Sequence, residues 1–366
     1  MKKIILSALL FSYLFSNAQL TTLPSGGNKK AAVSERIGLT DVTIHYDRPA
    51  VKGREGKIWG DLIHKGFIDQ QFGSSKAAPW RAGANECTTI EFSTPVTIEG
   101  KDLPAGKYGF FIAYDPVSSI IIFSKNSVAW GSYYYNEKED ALRVQVKPVS
   151  LDKSVERLQY EFLDQTENTA TIALIWEKLM IPFKVEVNYK QTQIESFRNE
   201  LQGRQGFTWT GWDQAARWCV DNNINLEQAL LWTDSSTGPL FGGEKNFQAW
   251  TTRAMVLEKL NRGSEAADIM KKALSFGSML DIHLYGRQLL AQKKPKEALE
   301  VFKLNYNKNP KEFTTLVGMA RGLSANGDFK GALKYANLAL PLAPDDQNKK
   351  SVETIIQKLK DGKGAN

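Results

Sequence analysis

Histidine and cysteine are nearly missing from this chain, which has three and two of them in 366 residues. His45, His64 and His283 lie far apart, and there is neither a His-Glu-x-x-His helix nor a paired cysteine spacing. A zinc centre therefore lacks its ligands, and no metal site is expected. The chain also has no phosphate-cradling glycine loop and no nucleophile elbow, so no cofactor is expected and no familiar catalytic set can be assembled. Cys87 and Cys219 fall in different halves of the sequence. A bridge would need their Cβ atoms within bonding reach, so two free, buried thiols are the expectation. Long apolar runs are scarce as well. The one near the start, Ile4 to Phe15, is too short to span a bilayer comfortably.

That run sits in "MKKIILSALLFSYLFSNAQ", behind the basic pair Lys2-Lys3 and ahead of Ser16-Asn17-Ala18. This is the layout of a secretory signal peptide over residues 1–18, with cleavage expected after Ala18. No cysteine follows the run, which rules out a lipid anchor there. The expectation is a periplasmic or secreted protein with no membrane span once the signal is removed.

Of the chain's 47 basic residues, Lys2 and Lys3 leave with the signal, so 45 face 40 acidic ones. Residues 19–188 hold 20 basic and 21 acidic residues, and the remainder 25 and 19. A lysine excess spread over helices is a solvated face, and no basic stripe interleaved with stacking aromatics is present, so nucleic acid is not an expected partner.

The length suits two domains, each able to bury a core. Over residues 36–188 the hydrophobic period is two. "DVTIHYD" sets Val42, Ile44 and Tyr46 against Thr43, His45 and Asp47, and "RLQYEFL" behaves likewise. Glu99-Gly100, Pro104-Ala105-Gly106 and Asp115-Pro116 supply turns, so an antiparallel β-sandwich or barrel is expected. Over residues 206–366 the period becomes helical, in segments such as "FQAWTTRAMVLEKL" and "KEALEVFKLNY". Ala298 recurs as Ala332 and Pro310 as Pro344, each 34 residues on, and Gly286, Ala298, Phe302 and Pro310 fit one repeat unit. The region resembles a tetratricopeptide array, with one unit marked by those four residues, a second by Ala320, Ala332 and Pro344, more irregular ones at 247–278 and 209–237, and a capping helix at 346–360.

The segments "IGLTDVTIHYDRPAVKGR", "IWGDLI", "WRAGANECTTIEF", "LPAGKYGFF" and "WGSYYYN", in that order, resemble the domain of unknown function 2911 family of exported bacterial proteins. The resemblance implies no activity, because that family has none established. The chain departs from the family's short connection between Ile63 and Trp80, where "HKGFIDQQFGSSKAAP" is longer.

Three groups of residues are candidates for ligand contact. Arg48, Lys52 and Arg54 cluster at a strand end, where guanidinium groups suit carboxylate or phosphate oxygens, although a solvated loop accounts for the same charges. Trp80, Arg81, Asn85 and Glu86 stand at a strand entry and suit a sugar or a carboxylate; structurally, Asn85 could tie a turn and Glu86 could pair with an arginine. Trp130 and the tyrosines after it read as a strand with faces alternating between core and ledge. The leading expectation is an exported binding protein, whose sandwich holds a small polar, anionic or carbohydrate-like ligand and whose helices contact a protein or peptide. The alternative is a cell-envelope hydrolase or lyase using carboxylates such as Asp47 and Glu86. A third is that function resides in the helices alone.

Overall fold

The computed structural model describes residues 27–365, so the expected signal peptide lies outside the described residues. The chain separates into two compact units, the first ending at Gln193 and the second beginning at Ile194.

The first unit holds two antiparallel sheets. One has six strands in the order β1 (Lys29–Ile37), β2 (Thr40–Arg48), β3 (Thr88–Phe92), β6 (Gly106–Ala113), β7 (Ser119–Ser124), β8 (Asp140–Val146). The other runs β5 (Lys101–Leu103), β4 (Val96–Ile98), β10 (Thr169–Glu186), β9 (Val149–Leu163). Two separate sheets over one shared core make this a sandwich. Alternation decides which side chains fill it: Ile44 of β2 lies opposite Val33 and Ile90, and from the facing sheet Phe183 packs its ring 5.5 Å from Phe110.

The turn chemistry does what those residue types do best. Ile98 pairs with Lys101 across Glu99-Gly100, whose φ angles of 48° and 78° make the two-residue hairpin turn that favours glycine. The Asp115 carboxylate accepts from the backbone N–H groups of Val117 and Ser118 and closes the bend between β6 and β7. β1 begins seven residues before the expected domain start at 36. It is an edge strand, mostly exposed, so it carries no hydrophobic alternation to read. β10 runs unbroken through 18 residues, and its register against β9 shifts at Glu177, φ 53°. The aromatic run after Trp130 forms a turn instead of a strand, entered through Gly131 at φ 65°. Tyr135 consequently points down onto Phe111, Tyr134 is exposed and Tyr133 lies half-buried against Phe72.

Helix α1 (Tyr189–Glu200) runs across the division between the units. Four hairpins follow: α2 (Trp209–Asn222) with α3 (Leu226–Thr237), α4 (Phe247–Lys259) with α5 (Gly263–Phe276), α6 (Met279–Ala291) with α7 (Pro295–Lys308), and α8 (Phe313–Ala325) with α9 (Phe329–Ala339). Helix α10 (Asp346–Lys360) closes the stack. Among the described residues no helix is long and apolar enough to cross a membrane.

The repeated small residues have a direct packing cause. Phe302 is fully buried, and its ring sits where side chains on Gly286, Gly318 and Gly322 would otherwise be. A Cβ on Gly318 would come within 2.7 Å of the ring. Gly318→Ala is therefore expected to destabilise the helical unit by about 1–3 kcal/mol despite alanine's better helix propensity, read as a lower urea midpoint. Cys87 and Cys219 are both free and buried. Burial pushes the Cys87 thiol up to about 12 and that of Cys219 to about 11, so neither is a reactive thiolate at neutral pH.

Candidate functional site

Between β2 and β3 the chain runs through residues 49–87 with no strand of its own, yet it is firmly held. Ile58, Ile63, Ala78, Trp80 and Ala82 are buried in the sandwich core. Short bridges pair Ile68 with Ala78 and Trp80 with Ile112, and the Trp80 N–H donates to Ile112 O at 2.9 Å. Anchored in this way, the segment surrounds a recess of about 460 Å³. Its lining includes Pro49, Lys52 and Arg54, then His64 and Gln70, then Trp80, Arg81, Gly83, Ala84 and Asn85, together with Trp176 of β10.

Five of the sequence-derived candidates thus meet at one place: Lys52, Arg54, Trp80, Arg81 and Asn85. Arg54 is fixed by donating its Nε to Val51 O at 2.9 Å and an Nη to Ala50 O at 2.7 Å. Arg81 donates Nη1 to Asn85 O at 2.6 Å and lies over the Tyr133 ring, 5.1 Å from its centre. Gly131, whose left-handed backbone already favours glycine, packs against the Arg81 guanidinium where any Cβ would collide. The Trp80 indole N–H donates to Gly83 O, and its ring stacks on Trp176 at 6.2 Å, so Trp80 belongs to the core floor of the recess. Asn85 takes up φ 57° and accepts a hydrogen bond from Asn28.

The other three candidates do not line it. Arg48 turns onto β9, donating Nε to Leu158 O at 2.8 Å and Nη2 to the Gln159 side chain. Arg48 and Asp47 are neighbours on one strand and must face opposite ways. Trp130 is exposed in its turn, carried there by the tight bend at Gly131. Glu86 is held by Lys30 of β1 at 2.6 Å and turned toward Asp47.

Asp47 and Glu86 nevertheless come together. Burial pushes the Asp47 carboxyl up to about 6, and the neighbouring Glu86 carboxylate adds to the rise. The hydrogen bond from Lys30 holds Glu86 below the usual carboxylate range. The Asn85 amide is near enough to Asp47 to favour its charged form, though it closes no hydrogen bond with it. Because the Asp47 value is raised on folding, its contribution to stability is complete below the unfolded value near 3.8 and is lost as pH rises through about 6. Glu86 works the other way, contributing above its unfolded value of 4.5 and losing that contribution as pH falls through its lowered one. Asp47→Asn keeps a permanent donor toward Glu86. It is expected to raise stability by about 1 kcal/mol at pH 7.5, allowing for solvent screening at Glu86, and by almost nothing below pH ~4. Melting curves of both proteins from pH 4 to 7.5 measure this, and an identical pH profile for the two would contradict it.

Unmatched charge separates this recess from the one lined by Arg143 and Lys76. A second recess of about 520 Å³ is lined by Phe67, Lys76, Tyr135 and Arg143. There, however, Arg143 pairs with Asp140 at 2.6 Å and Lys76 with Asp69 at 3.0 Å. Among the described residues Lys52, Arg54 and Arg81 pair with no carboxylate. His64, Gln70, Ser132 and Trp176 also line the recess but were not among the sequence-derived candidates. A lone histidine, and a tryptophan inside an apolar strand, give no sequence signal of a site.

The two antiparallel sheets followed by helical hairpins define an all-β domain joined to an all-α one. Residues 28–185 match the family described as "Protein of unknown function (DUF2911)", a stretch that lies within the N-terminal unit. Similar solved structures include YrrB, described as a TPR protein with an unusual peptide-binding site. It shows 18% identity and a TM-score of 0.29, with 47% of this chain and 87% of that one covered. MamA from Desulfovibrio magneticus RS-1 gives 14% identity and a TM-score of 0.27 over 43% of this chain and 95% of that one. The Cut9-Hcn1 hetero-tetramer of APC/C gives 16% and 0.29 over 47% and 34%. At these scores no function passes from them to this chain. No curated protein matches it.

Proposed function

We propose that this is an exported binding protein whose β-domain captures a small anionic, polar ligand in the recess beside Lys52, Arg54 and Arg81, while its helical unit contacts a protein or peptide. The observation that carries the reading is the convergence of three cations, none with a carboxylate partner among the described residues, on one concave site floored by tryptophan. Arg54 and Arg81 are half-buried, Lys52 is exposed beside them, and half-buried charge normally finds a counter-charge, which a ligand would supply here. Export rests on the layout of residues 1–18. The partner-binding role rests on the stacked helical hairpins, an arrangement that offers a continuous surface for peptides.

Small anions should raise the melting temperature in a concentration-dependent way, and the effect should fade as salt is added. Deleting residues 206–366 should abolish partner capture, whereas Arg81→Ala should leave it intact. The reverse pattern would move the partner site to the β-domain.

A hydrolase or lyase acting on envelope material is the second reading, and what favours it is the Asp47–Glu86 contact with Asp47 protonated to about pH 6. Against it stand the Lys30–Glu86 ion pair and the absence of both carboxyls from the recess lining. Turnover of cell-wall or polysaccharide fragments that disappears in Asp47→Asn and Glu86→Gln would establish it.

A further inference from the structure

We infer that the anion taken by this recess is a polyhydroxylated carboxylate, in chemical class a sugar acid; the inference rests on the anion-binding reading above. Cations alone would accept any anion. The neutral groups around them narrow the choice.

Gln70 donates Nε2 to Ser132 Oγ at 3.1 Å, while its Oε1 is buried with no partner. Neither ring nitrogen of His64 has a hydrogen-bond partner of good geometry, although the backbone of Lys65 and Gly66 lies close to the ring. Burial lowers the His64 pKa, so the ring is neutral and offers one donor and one acceptor. The indole N–H of Trp176, a wholly buried residue, is likewise unmatched. All three residues line the same recess.

The unmatched set therefore contains both kinds of group. Trp176 and one imidazole nitrogen must donate; Gln70 Oε1 and the other imidazole nitrogen must accept. Sulfate only accepts, and would leave both acceptors bare at a cost of about 1–3 kcal/mol each; monohydrogen phosphate carries a single O–H and would still leave one of them bare. Acetate has the right charge but brings no donor. A hydroxyl both donates and accepts, so several hydroxyls on one small frame can answer a mixed set. The carboxylate on that frame answers the guanidinium groups of Arg54 and Arg81, whose planar geometry it fits. Leu62, which lines the recess and is exposed, provides apolar surface for the C–H groups of a sugar ring. The volume, about 460 Å³, lies in the range of small-molecule sites.

The test compares D-glucuronate, D-glucose, acetate and inorganic phosphate against the full chain at low salt, by thermal shift and calorimetric titration. D-glucuronate should bind saturably, and each of the other three at least about tenfold more weakly, the equivalent of one lost hydrogen-bonding group. Acetate or phosphate binding as well as D-glucuronate would overturn the inference while leaving the anion site standing. D-glucose binding as well as D-glucuronate would overturn both the inference and the requirement for charge. No response to any of the three anions would remove the anion site itself. Gln70→Leu, a change in a half-buried connecting segment, should weaken D-glucuronate about tenfold and leave acetate unchanged. Unaltered D-glucuronate affinity in that variant would also overturn the inference.

Discussion

Replacing Arg81 with alanine is expected to weaken binding of a small carboxylate ten- to a hundredfold. A hydrogen bond to a charged group contributes about 1.5–3 kcal/mol, and each 1.4 kcal/mol is a factor of ten. Arg81 makes two kinds of contact at once. One end holds the Asn85 carbonyl at 2.6 Å and the plane rests on Tyr133, which orients the rest of the guanidinium toward the recess. Arg81→Lys should therefore restore little, because an ammonium group cannot reproduce the planar fork or the ring contact. Lys52→Gln provides the comparison: the Lys52 ammonium has no hydrogen-bonding or ion-pair partner among the described residues, and only its backbone N–H is engaged, by Glu156. That variant should keep its melting temperature and lose only a few-fold in affinity, through long-range attraction. Equal losses in Arg81→Ala and Lys52→Gln would mean that overall charge matters here and the shaped site does not.

Phe302→Ala is expected to cost the helical unit about 3–5 kcal/mol, the range for deleting a buried aromatic ring. The value should fall toward the upper end. Gly286, Gly318 and Gly322 surround the ring and carry no side chains that could close the gap. Relaxation would require helices α6 and α8 to move together, and Ile282 and Leu316, both buried, already fix their packing. Urea unfolding followed by far-ultraviolet circular dichroism would report the loss as a shifted helical transition. A change below about 1 kcal/mol would mean that the repeat register built on Gly286, Ala298 and Phe302 does not carry the packing of this unit.

Much of the architecture was readable from local chemistry. Glu99-Gly100 formed its two-residue hairpin because few other residue types tolerate two successive positive φ angles. The 34-residue recurrence of alanine and proline placed helices α6 to α9, because small residues are needed where two helices nearly touch. The reading failed where the physical cause was tertiary. β1 is an edge strand with polar residues on both faces, and the Trp130 turn is set by one glycine's backbone.

The recess shows the same division. Clustered charge in the sequence located its cations, and Lys52, Arg54 and Arg81 all line it. Arg48 has the parity of Val42, Ile44 and Tyr46 on β2, the face that turns toward β9, where it bonds Leu158 O. His64, Gln70 and Trp176 were not readable as site residues, because each becomes significant only through what it fails to bond.

Calorimetric titration of acetate, phosphate, citrate and D-glucuronate into the wild-type chain, and into the variant carrying Lys52→Gln, Arg54→Gln and Arg81→Gln together, tests the anion recess most directly. The structure predicts saturable, salt-sensitive binding of at least one of these anions to the wild type and none to the triple variant, with the melting temperature of the ligand-free proteins reported alongside. Absence of binding to the wild type, or equal binding to both proteins, would contradict it.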